Sequence, residues 1–151
     1  MLKSVRLENF RGFAALKLAL APVSVIVGPN SCGKTTVLHA ISAAHRAYAH
    51  ALELSDAHPV VEDRWVKVCD GVILQSHTRL LPIAVQEEIF RNGEASDGTW
   101  TEIELGFDER DPVRGLFVKL AYMRNKVLKL SVQVECPAAL AAVEEIGRAH
   151  V

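Results

Sequence analysis

Gly28-Pro29-Asn30-Ser31-Cys32-Gly33-Lys34-Thr35 fills every fixed position of the pattern G-x-x-x-x-G-K-[ST]. Residues of these types at this spacing suit the wrapping of a triphosphate. Phosphate oxygens need backbone N–H donors pointing inward, and side chains would block that approach. Gly28 and Gly33 keep it open and permit the required dihedrals. A helix starting at Lys34 aims its unpaired N–H groups and positive dipole end at the same point. Lys34 reaches the β- and γ-phosphates as a point charge, and the Thr35 hydroxyl is the candidate ligand of Mg²⁺. A glycine turn without a ligand is the competing reading, and the flanking elements weigh against it.

Those elements can be read from hydrophobic spacing. Val23-Ser-Val-Ile-Val27 is nearly continuous in apolar β-branched residues, which predicts a strand buried on both faces just before the loop. Lys34 to about Leu54 reads as a helix: Leu38, Ile41, Tyr48 and Leu52 recur on helical spacing, alanines fill the gaps, and Asp56 and Pro59 mark the end. Upstream, Val5 and Leu7, then Leu16, Leu18 and Leu20, alternate with polar or small residues as half-buried strands do, and Arg11-Gly12 is the turn between them. Residues 60–80 hold short apolar pieces split by Asp70-Gly71 and point to no single element. Pro82 to Arg91 predicts a short helix closed by Asn92-Gly93. A β meander follows. Ile103, Leu105 and Phe107 alternate with Glu102 and Glu104, 108–115 is a turn cluster, and Leu116–Tyr122 with Val127–Val134 form a hairpin around Arg124-Asn125. Pro137 opens an Ala-rich run with helical character.

Composition sets the outer limits. The 151 residues are 50% hydrophobic and 23% charged, with a net charge of −1. That suits a globular domain and argues against a disordered tail, a collagen-like chain, or a polycation that grips nucleic acid by charge alone. The charge is not even: residues 1–46 hold six bases and one acid, and the remainder is acidic. Cys32, Cys69 and Cys136 form neither a CxxC pair nor a metal-ligand cluster, which favours a reducing compartment. The start lacks the apolar core of a signal peptide, and no run has the length of a membrane span. The expectation is a cytoplasmic protein without a membrane partner.

The segments Leu7-Glu8-Asn9-Phe10-Arg11-Gly12-Phe13 and Val25-Ile-Val-Gly-Pro-Asn-Ser-Cys-Gly-Lys-Thr-Thr-Val-Leu38 resemble the N-terminal part of the RecF/SMC/OLD group of AAA family ATPases. The G-P-N-S-x-G-K-T-T form is most similar to OLD-type ATPases. The resemblance spans about residues 2–54 and, more loosely, 100–134. It implies an α/β P-loop NTPase fold, an ABC-type ATPase head lobe with a mixed or antiparallel β subdomain, and ATP with Mg²⁺ as cofactors. On matching positions it makes Gly28, Pro29, Asn30, Ser31, Cys32, Gly33, Lys34, Thr35 and Thr36 the nucleotide loop, with Lys34 the catalytic side chain. Arg11 becomes a candidate phosphate contact, a surface turn arginine being the equal alternative. The parent's function is then ATP hydrolysis coupled to DNA repair, DNA processing or anti-phage defence, through a homodimer of heads closed on two ATP molecules, with DNA as a further partner.

Hydrolysis also needs a strand of apolar residues ending in Asp-Glu. Ile103-Glu-Leu-Gly-Phe-Asp108-Glu109 is the best local match, but Glu102, Glu104 and Gly106 describe a half-solvated strand running into a turn. Val60-Val61-Glu62-Asp63 is weaker. Gln75, Gln86 and Gln133 are glutamines that could contact water or Mg²⁺, with nothing to select one. His39, His45 and His50, spaced by six and five residues, turn through roughly 240° and 140° and do not share a helix face. Trp65 and Trp100 read as core or edge residues, Glu87 and Glu88 as a solvated face, and Cys32 as incidental loop packing. The expectation is an incomplete domain: residues 1–144 form the N-terminal part of one ATPase domain (loop core 1–56, β-rich part about 100–134). Residues 145–151, Glu-Ile-Gly-Arg-Ala-His-Val, match one reading frame of a common sequencing adapter and read as a non-native tail, against an ordinary helix end. Alternatives are an ABC transporter subunit with Phe10 or Phe13 stacked on adenine, a nucleotide-binding module without catalysis, and an inert gene fragment. On the ATPase reading the full-length parent is the enzyme, and this fragment alone is expected to be inactive in hydrolysis.

Overall fold

The computed structural model describes residues 1–54, 60–74, 86–93, 95–124, 127–139 and 141–142. Its elements are β1 (Leu2–Phe10), β2 (Phe13–Ala19), α1 (Lys34–Glu53), β3 (Val60–Glu62), β4 (Trp65–Leu74), two short 3₁₀ turns (Gln86–Ile89 and Arg91–Gly93), β5 (Trp100–Phe107), β6 (Gly115–Met123) and β7 (Val127–Glu135). The strands form one sheet in the order β2-β1-β5-β6-β7-β4-β3, and every pairing is antiparallel. Residues 137–139 and 141–142 are helical, as the Ala-rich run predicts.

Alternation along the strands builds the core. Val5 and Leu7 of β1, Ile103 and Leu105 of β5, Val118 and Leu120 of β6, and Leu130 and Val132 of β7 face the same way and are buried. The opposite face is solvated and charged, with Arg6–Glu104 (3.1 Å) and Lys119–Glu102 (3.1 Å) paired across strands. Thr101 is the buried polar exception among the described residues, and its hydroxyl donates to the Glu8 carbonyl at 2.9 Å.

Helix α1 lies on the apolar face, and the expected stripe is met in part, since Ile41 and Tyr48 are half-buried and pack against the core. Val37, Ala40, Ala43, Ala44, Ala47 and Ala51 are buried, whereas Leu38 and Leu52 are 62% and 52% exposed. Small side chains let the helix axis approach the sheet, while Leu38 and Leu52 face outward. Between Ile41 and Tyr48 of the helix and Leu105, Phe107, Val113 and Leu116 an open apolar cavity of about 490 Å³ remains, with His45 on its lining.

Two further expectations are corrected. Val23–Val27 is neither a strand nor buried: Val23, Val25 and Val27 are 84%, 80% and 82% exposed, and among the described residues nothing pairs with them. A strand is buried on both faces only when neighbours flank it, and the sheet ends at β2. The helix expected over 82–91 is replaced, from Gln86 onward, by the two 3₁₀ turns, with Asn92 (φ 57°) and Gly93 (φ 69°) closing the second; 82–85 lie outside the described residues. The part of 60–80 left without an element is β3 and β4 up to Leu74. Asp56, Pro59, Gln75, Asn125 and the tail 145–151 lie outside the described residues, as do the side chains of Gln86 and Glu87.

Candidate functional site

The loop Gly28–Gly33 leads into α1, which begins at Lys34 and runs for 20 residues. Gly33 adopts φ 94° and ψ 10°, a left-handed conformation that reverses the chain into the helix. A Cβ there would also meet the Phe13 ring, 2.5 Å from Cζ. Gly28 is less constrained, since an added Cβ would meet the movable Cys32 Sγ at 2.6 Å. Ser31 is left-handed as well, at φ 68°.

Inside the curve of the loop, Lys34 Nζ donates to the carbonyls of Gly28 and Pro29, both at 2.7 Å, and lies 3.7 Å from Cys32 Sγ. The Cys32 amide donates to the Pro29 carbonyl at 3.4 Å. No side chain caps the start of α1, and its first turn carries no acidic residue. The leading N–H groups and the dipole end are therefore open to an anion, and no carboxylate opposes one. Thr35, one residue past Lys34, is exposed, and Thr36 is half-buried beside it. This donor set fits a magnesium–polyphosphate group.

Arg11 belongs to the same neighbourhood. Its turn is held by hydrogen bonds from its own amide to the Ile89 carbonyl (2.9 Å) and from the Asn92 amide to its carbonyl (3.0 Å). Its guanidinium donates from Nη1 to His39 Nδ1 at 2.5 Å, so the turn and α1 meet side chain to side chain. Phe13 is engaged against Gly33 from the same turn.

The other sequence candidates go elsewhere. The Asp-Glu pair at 108–109 ends an antiparallel strand: Asp108 Oδ1 accepts from the Arg110 amide at 3.1 Å and Oδ2 faces Lys3 at 3.3 Å. Those contacts, the backbone N–H first, hold the Asp108 carboxyl below its ordinary range. Glu62 binds Lys67 (3.1 Å) and Gln133 (3.4 Å) on the solvated side. Trp65 lies tilted against Phe117, with ring centroids 6.0 Å apart, under Arg64, and Trp100 lies under Lys119. His50 sits beside Glu53, and Glu88 is exposed. Sequence reasoning missed Ile89 and Phe90, both fully buried; Phe90 bridges to Phe10 and holds the Arg11 turn from behind.

Residues 1–67 match the family model of the AAA ATPase domain, which covers both the loop and the Arg11 turn. The chain is 51% identical over 41 residues to an OLD nuclease of Thermus scotoductus. It is 37% identical over 68 residues to a DNA double-strand break repair Rad50 ATPase of Methanopyrus kandleri. The matched stretches cover 27% and 41% of this chain and 8% of each relative's length. They agree with the resemblance to the N-terminal part of RecF/SMC/OLD-like ATPases. Among the described residues no helix is long and apolar enough to cross a membrane.

Proposed function

We propose that this chain carries the phosphate-binding loop of a P-loop ATPase and binds ATP with Mg²⁺. The observation that carries the reading is Lys34 Nζ folded into the curve of Gly28–Gly33 at an uncapped helix start free of acidic residues. Gly28 to Gly33, Lys34 and Thr36 would surround the phosphates, Lys34 would supply the positive charge to them, and the Thr35 hydroxyl would hold the metal. When bound, Mg²⁺ neutralises charge across the β- and γ-phosphates. Arg11, delivered from the β1–β2 turn, contributes a second cation.

The chain is one lobe of an ABC-type head, with residues 1–144 the N-terminal part of a longer ATPase domain. The bare apolar segment 23–27 and the outward Leu38 and Leu52 support this, since each is a surface that a further layer would cover. The parent hydrolyses ATP in DNA repair or processing, or in defence, as a dimer of heads acting on DNA; the names of the two relatives, a nuclease and a DNA double-strand break repair ATPase, support the repair or processing part of that role. Titration of the chain with Mg–ATP tests the core of the reading: binding is expected for the wild type and lost in Lys34→Ala, and equal affinity in both overturns it.

A further inference from the structure

We infer that His39 is the positioning residue for Arg11, holding its guanidinium one helical turn beyond the phosphate loop so that the site favours a nucleoside triphosphate over the diphosphate. The inference rests on the reading of Gly28–Thr36 as a nucleotide loop.

The base of Arg11 is fixed. Its backbone is left-handed at φ 50°, its amide and carbonyl are both bonded to the 3₁₀ segment, and Phe10 and Phe90 are fully buried behind it. What remains to be set is the direction of the guanidinium, and His39 sets it through the 2.5 Å bond to Nδ1. Arginine keeps all its protons, so Nδ1 is the acceptor and the imidazole is the neutral form protonated on Nε2. His39 follows Thr35 by four residues and stands on the same helix face, one turn on. Helical side chains lean toward the N-terminus, so the ring carries Arg11 back toward the Thr35 turn.

The choice of a neutral acceptor matters. Among the described residues no carboxylate pairs with Arg11. An aspartate or glutamate at position 39 would hold the guanidinium more tightly but would cancel the charge that a terminal phosphate needs. Histidine orients the cation and leaves its charge in place.

The test titrates the full 151-residue chain with Mg–ATP and Mg–ADP. His39→Ala and Arg11→Ala are each expected to weaken Mg–ATP by about tenfold, the scale of one charge-assisted hydrogen bond, with a smaller loss for Mg–ADP. His39→Asn, whose Oδ1 takes the place of Nδ1, retains the wild-type ratio of the two affinities, and the double alanine variant is no weaker than Arg11→Ala. Thermal midpoints taken alongside separate lost positioning from lost folding. A nucleotide-free readout is independent of binding: long-range ¹H–¹⁵N spectra should show His39 protonated on Nε2 alone, with ring signals that move in Arg11→Ala. Wild-type Mg–ATP affinity in folded His39→Ala, or a His39 ring protonated on Nδ1, overturns the inference while Lys34→Ala still abolishes binding. Unchanged binding in Lys34→Ala overturns the nucleotide loop itself, and this inference with it.

Discussion

The ring of Phe13 lies against Gly33 so closely that a Cβ on Gly33 would come within 2.5 Å of Phe13 Cζ. The β1–β2 turn and the loop that begins α1 are thereby built as one unit. Gly33 needs glycine twice over, for its left-handed backbone and for this contact.

Gly33→Ala is therefore expected to destabilise the chain by about 1–3 kcal/mol, the cost of a left-handed non-glycine residue plus steric overlap. Phe13→Ala removes the overlap but not the dihedral cost. Urea denaturation of the two single variants and the double variant separates these contributions. The double variant should lose less than the sum of the singles, and strict additivity would mean that the ring does not constrain the loop.

The 3₁₀ segment behind the turn carries a second expectation. Phe90 is fully buried, bridges to Phe10 and meets Tyr122 edge-on at 6.0 Å between centroids. Phe90→Ala should cost about 3–5 kcal/mol, as large-to-small core changes of an aromatic do. Phe90→Leu should cost much less. Because Ile89 and Asn92 hold the Arg11 backbone, hydrogen exchange of the Arg11 and Asn92 amides should rise in Phe90→Ala by more than at the distant β6–β7 ladder.

Much of this arrangement is legible in the sequence where the signal is local. The Arg11-Gly12 turn, helix α1 and the β6–β7 hairpin follow from spacing and turn chemistry, and α1 runs from Lys34 to Glu53 against an expected end near Leu54. The buried stripe of α1 is less legible because closeness to a sheet is decided by size as well as hydrophobicity, so Ala40 and Ala44 win over Leu38. Val23–Val27 reads as an interior strand because its composition reports what it is suited to pair with, not what flanks it. The Arg11–His39 bond joins residues 28 apart, and the turn that aims Arg11 depends on Ile89 and Asn92 farther along still; no local periodicity encodes either.

Cys32 offers a direct report on the loop. It is exposed and 3.7 Å from Lys34 Nζ, whereas Cys69 is buried and Cys136 half-buried. N-ethylmaleimide should label Cys32 fastest, and Mg–ATP should slow that labelling several-fold while leaving Cys136 unchanged. Peptide mass spectrometry at timed quench points reads all three thiols at once. Protection shared equally by Cys32 and Cys136 would indicate a global change instead of occupancy of the loop.

The turn after β5 should respond to acid. The Asp108 carboxyl is held below its ordinary range by the Arg110 amide and then by Lys3. A depressed carboxyl contributes stability that is present above its unfolded value, about 3.9, and is lost as pH falls through the lower folded value. Wild type should thus exceed Asp108→Asn in thermal midpoint at pH 6, with the gap closing toward pH 3. The difference is small because the group is solvent-exposed, and a gap that widens on acidification would contradict the assignment.

Val25 decides between two pictures of the segment that precedes the loop. In a strand buried on both faces its side chain would contribute about 1.5–3 kcal/mol, and an aspartate in its place would cost more through unpaired burial. The structure instead leaves Val25 80% exposed. Val25→Asp should then change the unfolding free energy by less than about 0.5 kcal/mol, the range of surface substitutions. The same substitution should reduce self-association. Residues 18–33 contain no charged side chain, and an uncharged, β-branched, unpaired segment is a template for pairing with a second chain. Urea denaturation and concentration-dependent light scattering measure the two effects separately. A loss of several kcal/mol with unchanged scattering would show that the segment is buried after all, whereas unchanged stability with reduced scattering locates the exposed apolar surface at residues 23–27.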